Sequence, residues 1–198
     1  QGPASQLVRQ TTDPKEKEDL QIINRNAQYL LSLVNQLIDL RKIDTQNLTL
    51  NYSQFNFSKF LNTTITDFSN LMKERNISFE KIYRLKSDHI YSDKENLHKI
   101  LFNLLSNAIK HTPDKGKITL HANQFIDKSN KLMQFISVTN SGSIIAPDEI
   151  DKIFNRFYQS QGQTKYPMYG QAGSGIGLYL CKRIVQMHGG EIHAQNTH

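Results

Sequence analysis

The chain has 198 residues, of which 37% are hydrophobic and 21% charged, and its formal net charge is +6. This composition is ordinary for a globular protein and allows one substantial core with a smaller appendage. No stretch supplies the roughly 20 apolar residues that span a bilayer. Lys and Arg are scattered along the chain, which argues against nucleic-acid binding. Cys181 is the single cysteine, so an internal disulfide is excluded.

A long helix is predicted to begin at Asp13-Pro14, because this pair breaks the chain and proline suits the first helical turn. Apolar residues then recur at alternating spacings of three and four, which is the heptad pattern of helices packed side by side. They are Leu20, Ile23, Ala27, Leu30, Val34 and Leu37. Residues 4–10 offer only a short preceding helix, so we expect a longer first helix or a second chain to cover this stripe. An ordinary helix packed on its own domain is the alternative.

The rest of the chain alternates strand patterns with helix patterns. Strands are predicted at residues 48–52, 77–82, 117–125, 132–139 and 191–194. Helices are predicted from Asn56 or Ser58 to about residue 75, from Asp93 to Lys110, and at residues 148–158 and 174–188. Two adjacent strands without a helix between them argue against a purely parallel sheet. The sequence therefore predicts an α+β fold, a two-layer sandwich of one mixed sheet with helices on one face, preceded by the long helix.

Three polar residues recur along the helix that Asp93 begins. Asn103, Asn107 and Lys110 are four and then three residues apart, so they share one face at ~100° per residue. An amide oxygen is a hard ligand that suits Mg²⁺, and a lysine can meet phosphate oxygens. The pattern indicates a ligand-binding face, and a solvated helix face is the alternative when the stripe is taken alone.

Two glycine-containing segments follow. Asn140-Ser141-Gly142 ends an apolar strand and places a polar side chain beside a flexible turn, where ligand pockets commonly form. Gly173, Gly175 and Gly177 open a helix, whose free backbone N–H groups can bind phosphate. Their spacing differs from that of the dinucleotide-binding motif, and the Lys-Ser/Thr ending of a P-loop is missing. The sequence therefore predicts neither a dinucleotide-binding site nor a P-loop.

In this order, the segments resemble the histidine-kinase branch of the ATPase superfamily shared with gyrase, the mismatch-repair ATPases and the heat-shock chaperone ATPases. Four motifs carry the resemblance, namely the N box at residues 103–112 (NLLSNAIKHT), the first glycine box at 140–142, the F box at 153–158 (IFNRFY) and the second glycine box at 173–178 (GSGIGL). Residues 159–172 correspond to the family's ATP lid. Residues 36–44 are similar to the end of its dimerisation helix. The sequence of residues 14–44 is similar to that of hybrid two-component sensors of gut Bacteroidetes.

The resemblance implies two domains. Residues 1–46 would form part of a dimerisation helical hairpin, and residues 47–198 the catalytic ATP-binding domain. The implied activity is that of a protein-histidine kinase, which transfers the γ-phosphoryl of ATP to a histidine on the dimerisation helix for relay to a response-regulator aspartate. The implied partners are a second copy of the chain and a receiver domain, with no nucleic acid. The chain would be the cytoplasmic domain of an inner-membrane sensor protein.

The resemblance also implies roles for single residues. Asn107 would bind Mg²⁺ with Asn103 nearby. Lys110, Arg156 and the lid residue Lys165 would face the phosphates of ATP. His111 would border the nucleotide, and Asn140 would meet the adenine amino group. Further contacts with ATP are implied for Gly142, Phe154, Phe157, Gly173, Gly175, Gly177 and Leu178.

The sequence departs from the family pattern at three places. No histidine precedes His89 and none of the seven lies in a His-acid-x-Arg context, so we expect this 198-residue chain not to phosphorylate itself. Asn140 and Ile144 stand where the family usually has Asp and Gly. The neutral amide loses a charge-assisted bond to adenine, and Ile144 cannot take backbone conformations open to glycine, so weaker nucleotide binding is expected. The family's final strand is also absent after residue 194.

Two other functions remain open from the sequence. An ATP-hydrolysing machine of the same superfamily needs a carboxylate at the position of Asn103, and an amide cannot act as a base. A non-catalytic dimerisation or scaffold module with a degenerate nucleotide site is supported by Asn140 and Ile144. The N box, the F box and the second glycine box oppose it.

Overall fold

The structure is a computed structural model that describes residues 13–45, 47–160 and 174–197. The chain divides into two compact units, Gln1–Leu48 and Thr49–His198. In the first unit, helix α1 spans Pro14–Asp44, and the Asp13 side chain caps it by accepting a hydrogen bond from the backbone N–H of Lys15 at 2.9 Å. The predicted start of this helix is therefore confirmed. The short helix predicted at residues 4–10 lies outside the described residues.

The predicted apolar stripe of α1 is open to solvent. Ile23, Leu30 and Val34 are each at least half exposed, at 56%, 61% and 50%. The helix is long, but no described helix is apolar enough over a sufficient length to cross a membrane.

The second unit alternates strands and helices. In chain order it contains β1 (Tyr52–Asn56), α2 (Phe57–Thr66), α3 (Ser69–Glu74), β2 (Ser78–Arg84), β3 (His89–Asp93), α4 (Lys94–His111), β4 (Lys117–Ile126), β5 (Leu132–Asn140), a 3₁₀ turn (Lys152–Phe154) and α5 (Gly177–Met187). The main sheet has the order β2–β4–β5, with β2 parallel and β5 antiparallel to β4. The mixed sheet is thus confirmed.

The core lies between this sheet and the helices on one of its faces. Alternate residues of β4 are buried, among them Ile118 and Leu120, while those between them are partly exposed. Leu101, Leu105 and Ile109 of α4 are buried in the same hydrophobic cluster. This alternation is the signature of a sheet covered on one side, so the predicted two-layer arrangement is confirmed.

Two helix starts follow the local signals in the sequence. Asn56 caps α2, because its side chain accepts from the backbone N–H of Lys59 at 2.7 Å. Asp93 caps α4 in the same way through Asn96, at 2.9 Å. Helix α2 does not continue to residue 75 as predicted, because a turn at residues 67–68 separates it from α3.

The prediction at β1 was partly wrong, and its partner strand was missed. The strand predicted at residues 48–52 begins only at Tyr52, and it pairs antiparallel with β3, a strand that the sequence did not predict. The two form a separate two-stranded sheet, so the fold has a second small sheet beside the predicted one.

Three predictions near the C-terminal end also differ from the structure. Residues 148–158 form turns and a short 3₁₀ segment, because Asn155 is extended and Phe157 has a positive φ of 62°, which no α-helix contains. Helix α5 begins at Gly177 rather than at residue 174. Residues 191–194 form no strand, since no described strand pairs with them.

Candidate functional site

Helix α4 carries the predicted polar face. Asn103, Asn107 and Lys110 are all partly exposed, whereas Leu105 and Ile109 on the other side of the helix are buried against the sheet. The helix is therefore fixed by its apolar face and presents a row of two amides and one amine at its edge.

The two amides differ in what they bind. The Asn103 side chain donates through Nδ2 to the carbonyl of Lys99 at 2.8 Å, so this amide is held by its own helix. The Asn107 side chain forms no hydrogen bond with any other residue of the described ranges. Its carbonyl oxygen is thus available to a ligand.

The donor set decides what kind of metal ion would fit. Within the described part of the chain, no group of three or more His, Cys, Asp or Glu side chains could hold a metal ion. Mg²⁺ takes oxygen ligands, keeps several waters, and is commonly bound through one or two protein groups plus substrate phosphates. The single amide oxygen of Asn107 fits an ion of that kind, and it does not fit a metal caged by protein ligands alone.

The end of α4 is electrostatically unbalanced. Burial lowers the pKa of Lys110, and no acidic side chain of the described residues pairs with this amine. Burial, and secondly the nearby charge of Lys110, lower the pKa of His111 as well. A partly desolvated cation without a counter-ion is unfavourable, and an anionic ligand would supply the missing partner.

The first glycine box packs against this end of α4. Gly142 has φ +149°, and a Cβ atom added there would lie 2.1 Å from the carbonyl oxygen of His111. Glycine is therefore required for the close approach. Asn140, the adenine-binding candidate, is the last residue of β5 and lies two residues before the glycine that packs on the His111 carbonyl.

A residue that the sequence analysis did not assign fixes the register of this loop. The hydroxyl of Ser141 accepts from the backbone N–H of Lys117 at 2.7 Å, and its own N–H donates to the carbonyl of Lys117 at 2.8 Å. Serine after a strand is a common turn signal, but its pairing with residue 117 depends on the sheet register, which the sequence does not give.

The second glycine box reaches the other end of the polar face. A Cβ atom at Gly177 would lie 2.6 Å from Oδ1 of Asn103, so the start of α5 packs closely on α4. Leu178 follows as the second residue of α5 and is partly buried. Asn107 and Lys110 therefore lie between two glycine contacts, one at Asn103 and one at the carbonyl of His111.

The F box is joined to the second glycine box. The backbone N–H of Phe157 donates to the carbonyl of Gly175 at 2.9 Å, and a Cβ atom at Gly175 would lie 2.6 Å from the backbone carbon of Phe157. Phe154 is buried, and its 3₁₀ segment packs on α5. The Arg156 guanidinium lies 4.9 Å from the centroid of the exposed Phe157 ring, a cation–π contact.

Most predicted site residues thus lie on helix α4 or in the segments that pack against it. In the structure, His111 of α4 contacts the first glycine box at Gly142, and Asn103 contacts the second at Gly177. The second glycine box also contacts Phe157 through Gly175. Lys165 and Gly173 lie outside the described residues, and Arg156 is seen against Phe157 rather than against α4.

Comparison with known proteins gives a consistent result. Residues 92–198, just over half of the chain, match the family described as histidine kinase-, DNA gyrase B-, and HSP90-like ATPase. Histidine kinase P4 of Formosa agariphila is 34% identical over 198 residues, which is 96% of this chain and 14% of that protein. The chain therefore spans only a small part of this curated relative.

Solved structures resemble the fold over almost the whole chain. Full-length ShkA in complex with AMPPNP has a TM-score of 0.72 at 22% identity, and the match covers 94% of this chain and 37% of ShkA. The histidine kinase ThkA in complex with the response regulator protein TrrA has a TM-score of 0.67 at 23% identity, covering 94% of this chain and 49% of ThkA.

Proposed function

The chain belongs to the histidine kinase-, DNA gyrase B-, and HSP90-like ATPase family, and from this membership we propose that it is the ATP-binding catalytic core of a sensor histidine kinase. One observation carries the proposal. Among the described residues, the Asn107 amide has no hydrogen-bond partner and the Lys110 amine no acidic partner. Both lie on one face of α4, between glycine contacts at Asn103 and at the His111 carbonyl.

The roles we assign follow the chemistry of each group. Lys110 would bind phosphate oxygens, because an anion there offsets the cost of its desolvation. The backbone N–H groups at the start of α5 would add donors for phosphate, since a helix N-terminus carries unpaired N–H groups and partial positive charge. Asn140 would accept from the adenine amino group. Asn107 would hold Mg²⁺, which when bound reduces the negative charge of the phosphates.

The reaction that we propose needs no protein base beside the nucleotide. An imidazole nitrogen attacks the γ-phosphorus, the bond to the β–γ bridging oxygen breaks, and ADP leaves while the new P–N bond forms. Positioning and electrostatics dominate such transfers. Water attack would need an activating group. Asn103, whose amide donates to the Lys99 carbonyl, cannot accept a proton, which favours phosphoryl transfer over ATP hydrolysis.

The larger assembly is part of the same proposal. Residues 1–46 would be one part of a dimerisation hairpin, and the exposed stripe of α1 supports a homodimer through it. A response-regulator receiver domain is the proposed acceptor partner, and the ThkA–TrrA complex supports this choice. The domain would work on the cytoplasmic side of a membrane-anchored sensor.

Incubation with radiolabelled ATP tests this function. A version extended toward its N-terminus to include an acceptor histidine should take up acid-labile phosphate, because phosphohistidine hydrolyses in acid. The same extended protein with Asn107→Ala should lose the label, and the 198-residue chain should stay unlabelled. Acid-stable label on the extended protein, or equal label on the Asn107→Ala variant, would contradict the proposal.

A further inference from the structure

Arg75 lies at the end of α3, and its side chain reaches the C-terminal end of α4. Its Nη1 donates to the carbonyl of Ile109 at 2.8 Å and its Nη2 to the carbonyl of Thr112 at 2.6 Å. Its Nε donates to Oδ1 of Asp114 at 2.8 Å. The Arg75 side chain is only 16% exposed, whereas that of Asp114 is 66% exposed. The two backbone contacts are therefore the protected part of this cluster.

These contacts lie at the end of the helix, where the carbonyls lack the N–H partner four residues on that they have inside it. The carbonyl of Ile109 also accepts from the backbone N–H of Thr112 at 3.3 Å, and a cation at this end is favoured by the helix dipole. The planar guanidinium can donate to two carbonyls at once, which a lysine amine cannot do with the same geometry. Arg75 thus caps α4 from outside the helix.

The capped turn is the one that carries the site. The carbonyl of His111 lies in sequence between the two carbonyls that Arg75 binds, and it is the atom on which Gly142 packs. Lys110 lies in the same turn. The last turn of α4 is therefore held by Arg75 at Ile109 and Thr112 and approached by the first glycine box at His111.

Arg75 also holds the connection that follows α4 through its backbone. Its carbonyl accepts from the N–H of Lys115 at 3.0 Å. The connection leads directly to Lys117, whose backbone binds Ser141 in the loop that contains Gly142. The Arg75 side chain thus holds the end of α4, and its backbone carbonyl holds the turn at Lys115 that leads to the loop at Gly142.

We propose that Arg75 is a positioning residue of the nucleotide site, which holds Lys110, His111 and the loop at Gly142 in their relative places without touching the nucleotide itself. This inference rests on the function proposed above for that site. A purely structural role for Arg75 would lower stability and leave nucleotide affinity and the surroundings of Gly142 unchanged in the folded protein.

Two variants and two controls separate these roles. Arg75→Gln removes both the charge and the planar guanidinium that donates to two carbonyls. Arg75→Lys keeps the charge but loses this planar group. Asp114→Asn removes only the exposed carboxylate. Asn56→Ala removes the cap of α2 and is expected to lower stability by about 1 kcal/mol, so it reports the effect of lost stability alone.

The measurement is calorimetric titration with AMPPNP and Mg²⁺, at a temperature where thermal unfolding shows every variant to be folded. Arg75→Gln should weaken affinity roughly tenfold or more, because small displacements of positioned groups have large effects on ligand contacts. Arg75→Lys should lie between Arg75→Gln and the wild type. Asp114→Asn should stay within about twofold of the wild type, since exposed ion pairs contribute little, and Asn56→Ala should bind like the wild type.

Amide NMR without nucleotide gives a second readout. The Gly142 resonance should shift in Arg75→Gln and stay in place in Asn56→Ala. Wild-type affinity in a folded Arg75→Gln, or an equal loss in Asn56→Ala, overturns the inference. If Arg75→Gln does not fold, Arg75→Lys decides by the same two readouts. A wild-type protein that binds no AMPPNP contradicts the proposed function instead, and the Gly142 shift then decides the role of Arg75.

Discussion

Lys110 is a partly buried cation whose charge finds no acidic partner among the residues that the structure describes. Because burial disfavours its charged form, Lys110→Met should raise the free energy of unfolding of the nucleotide-free protein, by roughly 0.5–1 kcal/mol. The same change should weaken AMPPNP binding about tenfold or more, because it removes a charge-assisted contact to phosphate. Thermal unfolding with and without AMPPNP measures both effects.

Lys128→Met is the matched control, since Lys128 is an exposed lysine of the turn between β4 and β5. It should change neither quantity. A Lys110→Met protein that is less stable than the wild type and binds AMPPNP equally well would show that Lys110 is a structural residue.

His111 makes the stability of the fold depend on pH. Its pKa is lower in the folded chain than the ordinary value of 6.5 because of burial and the nearby Lys110. The unfolded chain therefore binds the proton first, and the free energy of unfolding should fall as the pH drops through 6.5 toward the lower folded pKa. Denaturant unfolding of the wild type and of His111→Gln at several pH values isolates this slope. The slope should be smaller in His111→Gln, and equal slopes would contradict the assignment.

At the scale of the structural elements, the contact between the first glycine box and α4 requires a glycine at residue 142. Gly142→Ala would place a Cβ atom 2.1 Å from the His111 carbonyl oxygen, so the loop or the helix end must move. Gly189 is a matched control, because its φ is also positive, at +73°, but an added Cβ atom would have no atom within 4 Å. Gly189→Ala should therefore lose only about 1–2 kcal/mol of stability, the cost of its backbone conformation.

Gly142→Ala should lose more stability than Gly189→Ala and should also bind AMPPNP more weakly. Denaturant unfolding and calorimetry of both variants make the comparison. Equal losses of stability, with unchanged binding by Gly142→Ala, would mean that the contact with His111 does not shape the site.

The elements differ in how far the sequence predicts them. The caps at Asn56 and Asp93 and the polar face of α4 were predictable, because caps and helix faces depend on residues a few positions apart. Strand β3, the irregular path of residues 148–158 and the cap that Arg75 provides were not. Each depends on a partner far away in the chain, such as β1 for β3 and the α4 carbonyls for Arg75.

The same distinction applies to the candidate site. The motifs identified Asn107, Lys110 and the glycines, but they did not give the contacts that bring them together. The packing of Gly142 on His111 and of Gly177 on Asn103 follows from how the sheet and helices assemble. The site residues stay a prediction from the sequence, and the structure adds the reason why Gly142 and Gly175 favour glycine, namely a positive φ and a close backbone neighbour at each.

At the scale of the whole molecule, every described residue of the candidate site belongs to the second unit, Thr49–His198. Nucleotide binding should therefore be a property that does not depend on the covering of the α1 stripe. Phosphorylation is different, because it also needs an acceptor histidine and, in our proposal, a second copy of the chain. Binding is the step on which every other part of the account depends.

Calorimetric titration of the chain with ATP, in Mg²⁺ and in EDTA, tests this step most directly. We predict that the wild type binds ATP more tightly with Mg²⁺, and that Asn107→Ala loses most of this difference because a metal-bound oxygen is removed. Asn70→Ala, at an exposed asparagine of α3, should behave like the wild type. A wild type that does not bind ATP, or an Asn107→Ala variant with wild-type affinity in both conditions, would contradict the account.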